Sequence, residues 1–154
     1  MAKPSGNLVL TEAGVNALNG MTLQLQQETG ARAVLLIEKS GQLITAQGQT
    51  STLDTLSLAA LISGSFASTR ALARLLGEKN FKTLFQQGRT ESIFVVALET
   101  TDTVAVVFGE SVTVGLVKFK TMQALDKLNA QVRALYTDKK PSLGNMGAAI
   151  DNLF

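Results

Sequence analysis

Arg70 and Arg74 are the side chains of this sequence with the most evident chemical potential. Four residues apart on a helix, they share one face, and a guanidinium placed beside a transferring phosphoryl group stabilises the charge that develops there. Helix-borne surface arginines are far commoner than such fingers, so contact with acidic groups on a partner is the preferred reading. Little else in the chain points to chemistry. Cysteine and histidine are both absent, which removes the usual zinc ligands, thiolate nucleophiles, haem ligands and the commonest general base. Aspartate and glutamate supply carboxylates, but no pair stands in a recognisable catalytic context. No Gly-x-x-x-x-Gly-Lys-Ser/Thr loop is present to cradle nucleotide phosphates. The expectation is a chain with no catalytic residue, no cofactor and no metal.

Composition narrows the classes further. The 154 residues are 45% apolar and 17% charged, a globular composition with room for one core that needs neither disulfide nor metal. Fourteen basic against twelve acidic residues leave a surplus of two charges, too few to neutralise several phosphates, so nucleic acid is not an expected partner. Met1 to Asn7 lacks a long apolar core and a cleavage signal, and no apolar run approaches the ~18 to 20 residues of a membrane span. Cytoplasmic residence is therefore expected.

The elements that must position any site follow from periodicity. Leu8 to Leu10 reads as a short strand, and Thr11 can cap a helix carrying Val15, Leu18, Met21 and Leu25 on one side, stopped by Gly30. Ala31 to Ile37, the Ser40-Gly41 turn and Leu43 to Ala46 read as a β-hairpin. A long helix is predicted over 53–76, closed by Gly77, followed by strands at 81–87, 92–98 and 103–108. A last helix should begin near 111–113 and run to about Tyr136, with Leu116, Met122, Leu125, Leu128, Val132 and Leu135 near one stripe. Helix, two strands, helix, three strands, helix cannot be wound from βαβ crossovers throughout. The fold class expected is α+β, an antiparallel five-stranded sheet with segregated helices. Beyond residue 137, proline and glycines interrupt the periodicity, so 138–154 reads as a tail.

The helix over 53–76 carries the informative pattern. Leu58, Leu61, Ile62, Ser65, Thr69, Leu72 and Leu76 span about half its circumference and are expected to face the sheet. Opposite them lie Ala60, Ser63, Gly64, Ala67 and Ala71, flanked by Arg70 and Arg74. Alanine is a strong helix former and is harmless on a bare surface. Glycine at a helix centre costs about 1 kcal/mol relative to alanine, and close approach of a mate or a client protein would offset it.

At this point three segments resemble the Roadblock/dynein light chain family, and in particular its bacterial MglB branch. Ala33-Val34-Leu35-Leu36-Ile37-Glu38-Lys39-Ser40-Gly41-Gln42-Leu43-Ile44 is similar to the family's hairpin. Asp54-Thr55-Leu56-Ser57-Leu58-Ala59-Ala60-Leu61, then Gly64, then Leu72-Ala73-Arg74-Leu75-Leu76-Gly77-Glu78, resembles the MglB helix almost position for position. Phe81, Phe85, Gly88 and Leu116-Val117-Lys118 resemble the remainder of the domain. The resemblance implies a Roadblock domain over 1–137, with one long helix on one face of the sheet and two on the other. It implies a homodimer formed through strand 81–87 and helix 53–76. It also implies a Ras-like GTPase partner of the MglA type, received on Ala60, Ser63, Gly64, Ala67, Arg70, Ala71 and Arg74. Such regulators insert no catalytic residue and act by favouring the GTPase's own hydrolysis-competent conformation. Roles in polarity or motility, and enrichment at a cell pole, are further implications. Arg70 and Thr69 are bulkier than the residues relatives can carry there.

In the tail, Ile150, Leu153 and Phe154 follow i, i+3, i+4 spacing beyond a glycine-containing linker, which suits a short docking helix or a terminus packed on its own domain. A different function class is a Roadblock scaffold that assembles partners without changing a GTPase rate. A small-ligand sensor and a carboxylate enzyme rank below both, because no polar groups converge to mark a site.

Overall fold

A computed structural model describes residues 6–136. Its order is α1 (Glu12–Thr29), β1 (Ala33–Ile37), β2 (Leu43–Gly48), α2 (Thr55–Leu75), β3 (Thr83–Gln87), β4 (Glu91–Ala97), β5 (Thr103–Gly109) and α3 (Val114–Ala134). The strands form one five-stranded sheet in the order β2-β1-β5-β4-β3, with every neighbouring pair antiparallel. The expected element order and fold class hold. The strand expected at Leu8 to Leu10 is reduced to a single bridge between Leu8 and Tyr136.

Alternation along the central strands builds two cores. Val34, Leu36, Phe94, Val96, Val104, Val106 and Phe108 face α1 and α3, where Leu18, Leu25, Val117, Leu128 and Val132 meet them. Ala33, Leu35, Ile37, Val95, Ala105 and Val107 face α2, which contributes Ala59, Ile62 and Phe66. One helix therefore covers one face and two cover the other. The caps are local: Thr11 accepts from the Gly14 amide, Asp54 from Ser57 and Thr113 from Leu116, while Gly30 ends α1 in the left-handed region. Gly14 lets the start of α1 approach the end of α3, since a Cβ there would lie 2.2 Å from Leu135 Cδ2.

The sheet-facing side of α2 is not the one expected. Ala59, Ile62, Phe66, Thr69 and Ala73 are buried, whereas Leu61 and Leu72 are 69% and 56% exposed and Leu76 and Ser65 also face outward. The helix is rotated by about 70° from the expected orientation, on a wheel of about 100° per residue. Ala59 lets α2 sit close to the sheet and Ile62 and Phe66 fill the interface, so the leucines are displaced to a flank. On α3, Leu116 and Met122 are likewise exposed, and Val117 and Thr121 take the inward positions.

The core role of Phe66 is open to a direct check. Phe66→Ala should lower the unfolding free energy by about 3 to 5 kcal/mol, read from urea denaturation at matched protein concentration, and a loss under about 1 kcal/mol would contradict the packing described.

Candidate functional site on helix α2

The expected partner residues fall on the outward half of α2. Ala60, Gly64, Ala67, Ala71 and Arg74 are exposed, and Ser63 and Arg70 are half-buried beside them. Ser63 Oγ donates to the Lys39 carbonyl at 3.4 Å, which places this flank against the β1–β2 turn. A Cβ built on Gly64 meets no heavy atom within 4 Å, so nothing inside the protomer requires glycine there. Gly20 in α1 is equally open, but its helical neighbours Asn16, Leu23, Gln24 and Gln27 form no smooth line. Gly64 stands in a row with Ala60, Ala67 and Ala71, four, three and four residues apart. The ridge is accessible, smooth and flanked by guanidinium groups that form no ion pair among the described residues.

Sequence reasoning missed the other flank. Leu58, Leu61, Leu72 and Leu76 lie on the side of α2 opposite Ser63. Leu58 helps line an open trough of about 430 Å³ whose other walls include Gln86, Gln87, Gly88 and Ile93, at the β3–β4 side of the sheet. Because α2 rests chiefly over β1 and β2, the same face of β3 and β4 is left uncovered, with Leu84 and Ile93 only partly buried. β3 is an edge strand, and Phe85 on it is 41% exposed while stacking on Phe108 with ring centroids 6.2 Å apart. The signal was present in the sequence as a surplus of leucines that one helix face cannot bury.

By length and composition Thr55–Leu75 is apolar enough to cross a bilayer, although it holds no contiguous apolar run of that length: its apolarity is an average over leucine, alanine and mildly polar small residues. A core helix passes the same test, and Ala59, Ile62 and Phe66 are packed on the sheet. No group of three or more acidic side chains among the described residues is placed to hold a metal ion. Ile150, Leu153 and Phe154 lie outside the described residues.

Comparison with known proteins decides the family. The sequence matches the Roadblock/LC7 domain over residues 18–108, more than half of its length. The chain belongs to the Roadblock/LC7 family. Among solved structures, this Roadblock chain is similar to Myxococcus xanthus MglB, with 32% identity, a TM-score of 0.78 and coverage of 85% of this chain and 98% of that one. It is also similar to the gliding protein MglB from Thermus thermophilus, with 28% identity, a TM-score of 0.78 and coverage of 84% and 98%. An MglB described as having a tetrameric arrangement matches at 28% identity and TM-score 0.79, over 85% of this chain and 98% of that one. A search of curated proteins returns no match. The Roadblock fold and the likeness to MglB thus cover helix α2 and its ridge.

The ridge helix is held at its start by Asp54, whose carboxylate accepts from the Ser57 amide at 3.1 Å and the Ser57 hydroxyl at 2.7 Å. Those bonds, the hydroxyl's first, lower its pKa below the ordinary 3.8. A depressed carboxylate contributes stability above its unfolded pKa and loses it as pH falls through the folded value. Asp54→Asn, which keeps a cap but cannot titrate, should therefore show a shallower loss of stability than wild type as pH falls from about 5 toward 3, measured by thermal melts; identical acid limbs would remove Asp54 from this role.

Proposed function

We propose that this chain is a non-catalytic, homodimeric regulator of a small Ras-like GTPase of the MglA type, which it activates toward GTP hydrolysis. The observation that carries this reading is the outward ridge of Ala60, Gly64, Ala67 and Ala71, smooth enough for close approach and open along its length. It lies on the helix that most resembles MglB, in a chain that covers 98% of Myxococcus xanthus MglB. The partner supplies the chemistry. The ridge selects a GTPase conformation in which the GTPase's own catalytic groups are correctly placed, and differential affinity for that conformation drives the shift. Arg70 and Arg74 contact acidic groups at the rim. Such a protein works in the cytoplasm, in polarity or motility, with residues 1–137 as the folded domain and 138–154 as an appended segment.

The two flanks of α2 divide the labour. The leucine flank and the uncovered β3–β4 face are the surfaces a second copy buries, with β3 edges pairing and the two α2 helices side by side. The ridge then remains free on the assembled dimer. Scaffolding without any change in GTPase rate is the second reading, favoured by the same leucine surplus and by the tetrameric arrangement ascribed to one MglB.

Leu61→Lys combined with Leu72→Lys buries charge in the dimer contact and should raise the dimer dissociation constant at least about 100-fold, equivalent to about 2.8 kcal/mol. Sedimentation equilibrium reads this, and a double variant that dimerises as tightly as wild type would move the interface elsewhere. GTP hydrolysis by a purified MglA-like GTPase tests the activity itself. Wild type should stimulate it, and Gly64→Arg with Ala67→Arg should abolish most of the stimulation while remaining dimeric. GTP-dependent binding without stimulation would withdraw the activating role in favour of scaffolding.

A further inference from the structure

A chain of hydrogen bonds joins the end of α3 to the ridge of α2. Asp102, in the β4–β5 turn, is fully buried. Its Oδ2 accepts from the Tyr136 hydroxyl at 2.7 Å and from the Thr100 hydroxyl, and its Oδ1 accepts from the Lys39 amide at 2.8 Å. The Lys39 carbonyl in turn accepts from Ser63 Oγ at 3.4 Å, and the Lys39 ammonium sits 5.3 Å from the Tyr136 ring centroid. Gly41, with φ of +102°, seats the same turn so near α2 that a Cβ on it would lie 3.5 Å from Ala60 Cα and 3.6 Å from Ser63 Cβ. The 39–41 turn is therefore held between two partner-facing residues of α2 on one side and the Asp102 carboxylate on the other.

The far end of the chain is anchored as firmly. Tyr136 is the last described residue, bridged to Leu8, and the Val9 amide donates to the Leu135 carbonyl at 2.7 Å. Burial, and then the hydrogen bond to Asp102, push the Tyr136 phenol above its ordinary range, so it remains a donor. Thr101, between Thr100 and Asp102, takes a φ of +72°. A non-glycine residue is strained there and persists only where its surroundings hold it. Here the strained turn brings the Thr100 hydroxyl and the Asp102 carboxylate together with Tyr136. In a dry setting, withdrawing one donor leaves the carboxylate under-satisfied and weakens the hold on the others.

We propose that Asp102 is a positioning residue that couples the partner surface at Ala60 and Ser63, through the 39–41 turn, to Tyr136 and the root of segment 137–154. A partner pressing on the ridge displaces the turn and loosens Tyr136, and loosening Tyr136 frees the turn, since coupling between two sites is reciprocal. The use of this coupling rests on the partner reading above, whereas the coupling is a property of the free chain.

The full-length chain has one tyrosine and no tryptophan, so 3-fluorotyrosine reports on Tyr136 alone. Tyr136→Phe should speed hydrogen exchange of the Lys39 and Ser40 amides by at least ~5-fold while β1 and β5 keep their protection. In the labelled chain, Gly41→Ala, whose added Cβ would meet Ala60 and Ser63, should shift the fluorine resonance. An MglA-like GTPase loaded with a non-hydrolysable GTP analogue should shift it too. Unchanged exchange in Tyr136→Phe, or an unmoved resonance in folded Gly41→Ala, overturns the coupling, and if Gly41→Ala fails to fold the Tyr136→Phe result decides alone. GTPase binding with an unmoved resonance overturns transmission and leaves the partner reading intact. A GTPase that does not bind sinks the partner reading, and the two free-chain measurements still decide the coupling.

Discussion

Helix α2 meets the sheet through Ala59, Ile62 and Phe66, with Thr69 and Ala73 also buried, and the rest of the molecule's surface logic follows from how closely that contact is drawn. Alanine at position 59 removes side-chain volume that would hold the helix off. Interiors pack to crystal-like density, so a helix seated this near has no room for Leu61, Leu72 or Leu76 beneath it. Their apolar area remains in water, at roughly 25 cal/mol per Å² that only another surface can recover. The helix is consequently two-faced: a small inward stripe that completes one core, and an outward half divided between a leucine flank, a smooth ridge and an arginine rim.

The sheet sets the direction in which those surfaces point. α2 connects one edge strand to the other, β2 to β3, yet rests chiefly over β1 and β2. The face of β3 and β4 beside it stays open, next to an edge strand whose unpaired backbone groups can extend the sheet. In the proposed dimer a second copy would offer both a strand and a helix to that gap, leaving the small-residue ridge of the same helix uncovered. Across the hairpin, the 39–41 turn links the partner side of α2 to Asp102 and Tyr136. Hydrogen bonds thus run from Ser63 through Lys39 and Asp102 to Tyr136.

Much of this was legible in the residues. Apolar, β-branched runs marked the last two strands and a continuous apolar run with a Ser-Gly turn marked the hairpin, Thr11 and Gly30 bracketed α1 to the residue, and the order of elements excluded a wound parallel sheet. The line from Ala60 to Ala71 was recognised as an exposed, approachable surface, and it is one. The absence of cysteine, histidine and a phosphate loop is a matter of composition and needed no coordinates.

What remained hidden depended on distances. Large aliphatic side chains at helical spacing look like a core face, and Leu61, Leu72, Leu116 and Met122 were assigned inward on that ground although all are exposed. Hydrophobicity tells which residues avoid water, but it does not say whether their cover comes from the same chain. The roles of Asp102 and Lys39 were equally unreadable, because their bond spans 63 positions and exists only once two turns are folded side by side. The sequence by itself determined the elements, their order and the exposed small-residue ridge, since propensity, apolar patterning and capping act over a few residues. Only the tertiary structure decided how α2 is rotated, which leucines lie bare and which polar groups meet, since those follow from packing between segments far apart in the chain.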